Sequence, residues 1–372
     1  MKYYSLTPIL KKAPSARFYM IFGERSSGKT HAVQEYCIKD FVKTGHQAAV
    51  IRRFREDFKG KRAASYWDSL VYDGNGHNKI KEYTKGKYDH VEYQSGRWFL
   101  AYYDDELEKN ITAPEPFAFA FALTEMEHEK GNSFPGIHTI FMDEYASKGN
   151  FYLPDEFVLF MNVISTVFRG RATPDMKVFM CANTVDMVGC PYYKEMGLTN
   201  VKKMKKGQID IYNYGNSGLQ VAIEYTDSPN PEGKPSDVFF AFDNPRLRMI
   251  TQGDYDLLVY PHLTEGYEKK EVILSYFIKY EDYTLQADVI LRQNETLTFI
   301  HPKTTPIKDE DRDIIFTTEA NSQFNYYGRL TKPVNKAVKK LFWYFVANKV
   351  FYSSNEVGEA VARYLYWCNN GK

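Results

Sequence analysis

The sequence predicts an α/β domain with a mostly parallel sheet built around a P-loop, followed by a smaller α+β domain with an RNase H-like layout. Three observations carry this prediction. In the first half, short apolar runs alternate with helical patterns, which is typical of a parallel sheet. A glycine-containing loop joins the first apolar run to the first helical pattern. In the last third, three strand-like runs follow one another closely before two helical patterns, which indicates an antiparallel meander.

The first half is expected to begin with a buried strand at residues 18–22 and a helix at residues 29–44, which Gly45 ends. Residues 54–110 lack a clean period and are expected to form an insertion of short elements. A strong helix should start near Pro154, with a buried stripe of Phe157, Phe160, Met161, Ile164 and Phe168. Further strands are expected at residues 48–51, 117–122, 139–142, 178–182, 209–212 and 219–223.

A stretch rich in proline, glycine and polar residues, 226–235, has the composition of a linker. Beyond it, the meander is expected at residues 272–280, 284–291 and 296–301, and the two closing helices at 332–347 and 354–368. The predicted organisation is therefore a P-loop domain at 1–225, a linker region at 226–265 and a C-terminal domain at 266–372. Two-metal nucleases need converging carboxylates, and here Asp288 is isolated, so no nuclease activity is expected.

Composition excludes several classes of protein. The four cysteines, Cys37, Cys181, Cys190 and Cys368, have neither zinc-finger nor disulfide-scaffold spacing. The apolar run at residues 117–123 is far too short to span a membrane, and the amino terminus lacks the pattern of a signal peptide. A cytoplasmic, non-secreted protein without a membrane partner is expected. The net charge of +1 neither requires nor excludes a nucleic-acid partner.

The residues between the first strand and the first helix form a complete phosphate-binding motif, G-x-x-x-x-G-K-[ST]. Its members are Gly23, Glu24, Arg25, Ser26, Ser27, Gly28, Lys29 and Thr30. In such a loop, backbone amides and the helix amino terminus bind phosphate oxygens. The lysine reaches the β- and γ-phosphates, and the hydroxyl group ligates Mg²⁺. The sequence therefore predicts binding of ATP and Mg²⁺.

Two acidic residues, Asp143 and Glu144, end the apolar run at 139–142, which is the Walker B arrangement. We expect Asp143 to hold the metal through its water shell and Glu144 to act as general base toward the attacking water. Asn183 ends the next predicted strand. It is interpreted as a sensor of the γ-phosphate or of the lytic water, with an ordinary strand-ending asparagine as the alternative.

Three basic groups carry weaker signals. Arg169 and Arg171 follow the helix that starts near Pro154, where an arginine either projects as a finger or compensates the helix dipole. The clusters at residues 52–55 and 202–206 either contact nucleic-acid phosphates or form solvated faces.

The chain resembles the genome-packaging ATPases of phi29-like tailed phages. The resemblance rests on three blocks in the same order, residues 23–30, 129–145 and 166–171, followed by Asn183. It implies an ASCE-type ATPase that works as a homomeric ring, a pentamer in this family. The ring would act in the host cytoplasm, on the portal vertex of a prohead, and drive double-stranded DNA into the shell.

The same resemblance implies roles for individual residues. Arg169 lies where the family has a trans-acting arginine finger, and Lys130 lies in the block that carries a trans-acting lysine. Arg52 and Arg55 lie near its basic lid residues. The C-terminal domain would be a nuclease-like fold without nuclease function, used for docking to the portal and, in some members, to a structural RNA.

Two other classes of function remain as alternatives. One is a P-loop phosphotransferase acting on a small metabolite, in which the pair at residues 143–144 would be unusual. The other is a non-catalytic assembly protein that uses nucleotide only to order a ring.

Overall fold

The computed structural model describes residues 3–72, 76–125, 131–147, 152–183, 190–227, 229, 260–263, 265–293, 295–308, 312–332 and 335–370. The chain divides into two compact units, Met1–Tyr255 and Asp256–Lys372, each with a sheet of its own. Among the helices that can be described, none combines the length and the apolar character needed to cross a bilayer.

Unit 1 contains ten described strands in one sheet. In chain order they are β1 (Phe18–Gly23), β2 (Gln47–Arg52), β3 (His90–Gln94), β4 (Arg97–Asp104), β5 (Lys109–Thr112), β6 (Ala118–Ala122), β7 (Ile137–Asp143), β8 (Lys177–Asn183), β9 (Ile209–Tyr214) and β10 (Leu219–Tyr225). The described α-helices are α1 (Thr7–Lys12), α2 (Lys29–Thr44), α3 (Lys61–Ala64), α4 (Asp68–Val71), α5 (Lys79–Tyr83), α6 (Glu156–Phe168) and α7 (Pro191–Glu195).

The centre of this sheet is parallel, in the order β6-β2-β7-β8-β1-β10. Antiparallel strands are added at both sides, where β4 pairs with β6 and β9 pairs with β10. The prediction of a mostly parallel sheet is confirmed. Because β8 lies between β1 and β7, the strand that leads into the P-loop and the strand that ends in Asp143 are not direct neighbours.

Alternation along β1 shows how both faces of the sheet are buried. Tyr19 and Ile21 belong to the apolar cluster on the α2 side, whereas Met20 and Phe22 belong to the cluster on the α6 side. Successive side chains of a strand point to opposite faces, so a strand covered on both sides reads as a continuous apolar run. That is the pattern from which the strand was predicted.

Helix α2 begins and ends as predicted, and Gly45 adopts φ +80° at its carboxyl end. The predicted buried stripe of α6 is confirmed in part. Phe160 is fully buried, and Phe157, Ile164 and Phe168 are half-buried against the same core, but Met161 is exposed. Val163 and Val167, which the prediction left out, are fully buried. Apolar side chains occur nearly all round this helix, so their spacing alone could not separate its most deeply buried positions from their neighbours.

The insertion at residues 54–110 does consist of short elements, but it also contributes to the sheet. Strands β3, β4 and β5 pair in antiparallel fashion and extend the sheet beyond β6. Trp67 and Trp98 are fully buried beneath this extension and contact each other edge to face. The sequence did not predict these strands, because their faces alternate less regularly between apolar and polar residues.

Unit 2 is an α+β fold with six described strands and two α-helices. They are β11 (Val272–Tyr280), β12 (Tyr283–Arg292), β13 (Glu295–Pro302), β14 (Ile314–Thr317), β15 (Tyr326–Tyr327), β16 (Val350–Tyr352), α8 (Lys336–Val346) and α9 (Asn355–Asn370). The predicted meander is present as β11-β12-β13. Strand β14 then pairs parallel to β11, and β15 pairs parallel to β14.

The strand order of unit 2 is β15-β14-β11-β12-β13-β16. Numbered from β11, the first five strands lie in the order 5-4-1-2-3, which is the arrangement expected of an RNase H-like sheet. Strand β16 is an addition, parallel to β13 at the far edge. The core lies between the sheet and α8 and α9, where Tyr276, Val338, Val361 and Tyr364 are buried.

Candidate active site

A cavity of about 630 Å³ opens in unit 1 where the parallel strands β1, β2, β7 and β8 end. The carboxyl ends of parallel strands meet at one edge of a sheet, and ligands of open α/β sheets bind there. Its lining residues are Tyr3, Ser26, Ser27, Gly28, Lys29, Thr30, His31, Gln34, Arg52, Tyr66, Ser69, Tyr72, Asp143, Glu144, Cys181, Ala182 and Asn183.

The loop between β1 and α2 is shaped by two left-handed residues, Ser26 at φ +59° and Gly28 at φ +95°. The ammonium group of Lys29 is buried and donates to the carbonyl oxygen of Glu24 (2.7 Å), the carbonyl oxygen of Gly23 (3.3 Å) and the hydroxyl oxygen of Ser27 (3.2 Å). In this structure the lysine therefore folds back onto its own loop and holds the loop's curvature.

Asp143 is buried and receives hydrogen bonds from three elements. The hydroxyl of Thr30 donates to Oδ1 (3.0 Å), and Arg52 donates to Oδ2 (2.6 Å). Tyr66, from the insertion, also donates to Oδ2 (3.3 Å). Burial opposes the charge on Arg52, but Asp143, Tyr66 and Glu144 outweigh it and raise the pKa of this guanidinium group. Burial, with the charge of Asp143, raises the pKa of Tyr66 well above its ordinary value.

Glu144 follows Asp143 with a left-handed backbone, φ +62°, and its side chain is exposed to the cavity. A non-glycine residue in this region is uncommon and persists only where its surroundings hold it. Arg53 supplies that hold. Its guanidinium donates to the carbonyl oxygens of Glu144 and Tyr145, both at 2.5 Å.

Arg53 is itself fixed by a buried ion pair. Its Nε donates to Glu156 Oε2 at 2.8 Å, and the side chain of Glu156 is completely buried. Tyr192 donates to the other carboxylate oxygen of Glu156 (2.9 Å), and the amide of Leu153 donates to Oε2 (2.9 Å). Burial opposes the charge of Arg53, but the hydrogen bond and charge of Glu156 outweigh it and raise the pKa of Arg53. The network thus connects the end of β7 with the start of α6.

Most sequence-predicted site residues meet at the cavity, but not all. Arg52, Asp143, Glu144 and Asn183 line it together with loop residues 26–30. Gly23 and Glu24 do not line it themselves, but their carbonyl oxygens accept from Lys29, which does. Asn183 lies beside Gly23 in the pairing of β8 with β1.

Three predicted residues lie elsewhere on unit 1. Arg25 is exposed, outside the set that lines the cavity. Arg55 is exposed and pairs with Glu125 at 2.9 Å. Arg169 is exposed at the carboxyl end of α6, with φ +30°. Lys130 belongs to residues 126–130, which lie outside the described part of the chain.

Three residues of the insertion, Tyr66, Ser69 and Tyr72, line the cavity and were not predicted from the sequence. Gln34 of α2 donates to the carbonyl of Tyr66 (2.6 Å) and accepts from Ser69 (2.9 Å), which ties residues 65–72 to the P-loop helix. These residues carry no recognisable motif. Arg53 and Glu156 were missed as well; the only signal was the position of Arg53 beside Arg52.

The donor set fits a small, hard cation. The hydroxyl of Thr30 and the carboxylate of Asp143 are oxygen ligands of the kind that Mg²⁺ prefers. Thr30 Oγ1 donates to Asp143 Oδ1 at 3.0 Å, so the two groups that would hold the ion already face each other.

The fold and the loop define a P-loop protein with the strand insertion, β8 between β1 and β7, that is typical of the ASCE class. Residues 2–216, more than half of the chain, match the model of the family described as podovirus DNA encapsidation protein (Gp16). The protein belongs to that family.

Two relatives share part of this region. The chain is 26% identical to a DNA packaging protein of Bacillus phage B103 over 211 residues, which cover 56% of this chain and 54% of the relative. It is 24% identical to the DNA packaging protein of Bacillus phage phi29 over 175 residues, 46% of this chain and 44% of the relative. The matched region therefore spans about half the length of each relative.

Solved structures are similar over nearly the whole chain. A chain of the bacteriophage phi29 viral genome packaging motor assembly aligns with a TM-score of 0.57 at 18% identity, covering 98% of both chains. A chain of the Phi-28 gp11 DNA packaging motor aligns with a TM-score of 0.51 at 15% identity, covering 100% of this chain and 98% of the other. At these identities, the likeness establishes the fold.

Proposed function

We propose that this protein hydrolyses ATP and uses the hydrolysis to move double-stranded DNA, as the motor that packages a viral genome into a prohead. Family membership and the fold of the packaging motors support the class of function. One observation carries the chemistry: Lys29, Thr30, Asp143 and Glu144 line the same cavity, at the edge where the P-loop opens a helix.

In the proposed reaction, the amides of the P-loop and the amino end of α2 bind the phosphates of ATP. Lys29 exchanges its loop carbonyl partners for phosphate oxygens, and Thr30 and Asp143 would hold Mg²⁺. When bound, the ion would supply positive charge against the charge that develops on the β- and γ-phosphates. Glu144 accepts a proton from the attacking water, since its carboxylate faces the cavity from a backbone that Arg53 holds in place. Asn183 orients the water or the γ-phosphate.

We propose that the active unit is a homomeric ring, with the pentamer of phi29-like motors as the expected size. The exposed position of Arg169, at the end of a rigid helix and away from its own cavity, is suited to reaching the site of a neighbouring subunit. Lys130 is proposed to act in trans as well. Arg25 and Arg55, both exposed, are proposed to contact nucleotide only when the site closes.

We also propose a division of labour along the chain. Residues 1–225 form the ATPase domain, 226–265 the linker region, and 266–372 a docking domain for the portal and, as in some phi29-like motors, a structural RNA. We propose that the docking domain lacks nuclease activity. In support, Asp288 is buried and engaged by Ser275, Gln286, Tyr267 and His301. The ring would act in the host cytoplasm, transiently on the prohead.

The test is phosphate release by the purified full-length chain, measured alone, with double-stranded DNA, and with a panel of small phosphate acceptors. Stimulation by DNA supports the motor. Stimulation by a small acceptor with transfer of phosphate to it would instead establish a phosphotransferase. ATP binding without release in any condition would establish a nucleotide-gated assembly protein.

A mixing experiment tests the ring. Arg169→Ala should bind ATP yet lose DNA-stimulated turnover. When it is mixed with wild-type protein, turnover should fall by more than the fraction of variant subunits in the mixture. Arg97→Ala, an exposed arginine at the start of β4, is the matched control and should do neither. Normal turnover by Arg169→Ala would remove the finger assignment while leaving ATP hydrolysis itself intact.

A further inference from the structure

A cluster of two histidines and a carboxylate lies at the edge of the unit 1 sheet opposite the cavity. His46 precedes β2, His138 is the second residue of β7, and Asp175 precedes β8, so all three lie at the amino ends of neighbouring parallel strands. A strand of seven residues separates the two edges by about 20 Å. The cluster is therefore independent of the site of hydrolysis.

Both histidines approach the same oxygen of Asp175. Nε2 of His46 lies 3.6 Å from Asp175 Oδ2, and Nε2 of His138 lies 3.5 Å from the same oxygen. The two imidazole rings are stacked, with centroids 3.8 Å apart. One ligand atom from each residue falls within 4.8 Å of the others. All three residues are half-buried, which leaves a path for an ion from solvent.

The outer nitrogen of each ring is engaged as in protein metal sites. Nδ1 of His46 faces Asp40 Oδ2 at 3.3 Å, and Nδ1 of His138 faces the carbonyl oxygen of Gly136 at 3.1 Å. An acceptor at Nδ1 favours the tautomer that carries its proton there. Nε2 of each ring, the atom nearer to Asp175, is then left without a proton. Metal-bound histidines typically donate their second N–H to a carboxylate or backbone carbonyl in this way.

We propose that His46, His138 and Asp175 bind a divalent transition metal ion, with Zn²⁺ as the best match. Ligands at about 2.0–2.2 Å in tetrahedral geometry lie about 3.3–3.5 Å apart, close to the two histidine–aspartate distances found here. The two imidazole rings, which are stacked in this structure, would turn apart when they bind the ion. Two imidazoles and one carboxylate suit zinc, whereas Mg²⁺ and Ca²⁺ prefer oxygen ligands alone. Water completes the coordination, and the ion joins the amino ends of β2, β7 and β8.

The surrounding charges act in both directions. Asp40 adds a negative charge beside His46 and favours a cation. Arg171 and Lys177 both interact with Asp175 and oppose it. The alternative to a metal ion is a proton on one histidine. The cluster would then be an ordinary ion pair between that histidine and Asp175. The two occupants differ in a measurable way, because only a metal ion gives saturable binding of one ion per chain.

The experiment is titration of chelator-treated full-length protein with zinc chloride, followed by calorimetry, in buffer without nucleotide or magnesium. One ion per chain is expected. His138→Ala should weaken binding at least 100-fold, and Asp40→Asn about 10–100-fold, as outer partners of metal-bound histidines do. His90→Ala is the matched control. His90 is about as exposed as His46 and also lies beside carboxylates, those of Asp89 and Glu92. Among the described residues it has no second histidine beside it in an ion pair. Its removal should leave zinc binding unchanged.

Co²⁺ in place of Zn²⁺ gives a second readout, since tetrahedral nitrogen and oxygen ligation produces strong visible absorption bands. Asp175→Asn, nearly isosteric, should keep the circular dichroism spectrum of the wild type and lose these bands. Absence of stoichiometric zinc binding to the wild type would overturn the proposal, as would His138→Ala binding zinc with unchanged affinity. DNA-stimulated ATP turnover, measured in parallel, reports on the proposed motor separately.

Discussion

Among the described residues, each unit of the protein buries one aspartate to nearly the same degree, but the two lie in opposite surroundings. Asp143 is 4% exposed and Asp288 is 5% exposed. Asp143 stands at the carboxyl end of β7, beside a cavity that also holds Lys29, Thr30 and Glu144. Asp288 stands in the middle of β12, where neighbouring side chains satisfy both of its oxygens.

The difference shows that burial of a carboxylate does not by itself identify a functional site. In unit 1, the strand ends and leaves open space where a phosphate and a cation could approach. In unit 2, strand pairing continues past Asp288 on both sides, and its charged oxygens accept hydrogen bonds from side chains around it. Position within the strand, rather than the buried charge, separates the two.

The largest expected effect sharpens the contrast. Glu144→Gln, beside Asp143, should lower ATP turnover about 10²–10⁴-fold, because the amide cannot accept the proton of the attacking water. Binding of a fluorescent ATP analogue should remain. Asp288→Asn should leave turnover per folded molecule unchanged. Brisk hydrolysis by Glu144→Gln would assign the base to another residue.

The next effect concerns the network that holds Glu144. Arg53→Met should destabilise unit 1 by about 3–5 kcal/mol, because it leaves the carboxylate of Glu156 buried without its partner. The two tryptophans of unit 2 are first replaced by phenylalanine. Denaturation followed by the fluorescence of Trp67 and Trp98 then measures the stability of unit 1 alone.

A milder change separates stability from positioning. Arg53→Lys retains the charge but cannot donate to Glu156 and to both carbonyl groups in the same planar geometry. We expect ATP turnover to fall by tenfold or more with only a small loss of stability. If turnover followed stability in both variants, Arg53 would have a purely structural role.

A smaller effect belongs to Asp288. Asp288→Asn should lower the stability of unit 2 by about 1–3 kcal/mol at neutral pH, since a buried charged acceptor loses its hydrogen bonds. Denaturation followed by Trp343 and Trp367, with Trp67 and Trp98 replaced, measures this unit. No destabilisation would mean that the cluster is dispensable for folding.

The pH dependence of the same residue has a definite sign. Burial would raise the pKa of Asp288, but hydrogen bonds from His301, Ser275, Gln286 and Tyr267 outweigh it and hold the pKa well below its ordinary value of 3.8. The stabilisation is therefore complete above about pH 5 and is lost as the pH falls toward the lowered pKa, because the unfolded chain takes up the proton first. In Asp288→Asn, this acid-dependent loss should be absent.

The smallest effect is expected outside both clusters. Arg55→Ala should change the stability of unit 1 by less than about 1 kcal/mol, because its ion pair with Glu125 is exposed. Any loss of nucleotide affinity in this variant, measured with the same ATP analogue, would then report a contact made only in the closed site. Unchanged affinity would remove Arg55 from the set of proposed nucleotide contacts.

Several elements could be predicted because their cause is local. The strand–loop–helix at residues 18–44, the strand that ends in Asp143 and the meander of unit 2 each follow from a short stretch of chain. The buried stripe of α6 could be predicted only in part, because apolar residues surround that helix: Met161 is exposed, and Val163 and Val167 are buried instead. Strands β3–β5 were missed because their alternation of apolar and polar residues is weak. Their place in the sheet depends on the pairing of β4 with β6, which no local pattern encodes.

By itself, the sequence determined the phosphate-binding loop, the two acidic residues after β7 and the parallel centre of the first sheet, since these depend on residue type, spacing and strand period. Only the tertiary structure decided that Tyr66 donates a hydrogen bond to Asp143 and that Arg53 donates one to the carbonyl oxygen of Glu144. It also decided that His46, His138 and Asp175 meet. These residues are far apart along the chain, and the order of the strands, which no local pattern encodes, brings them within contact distance.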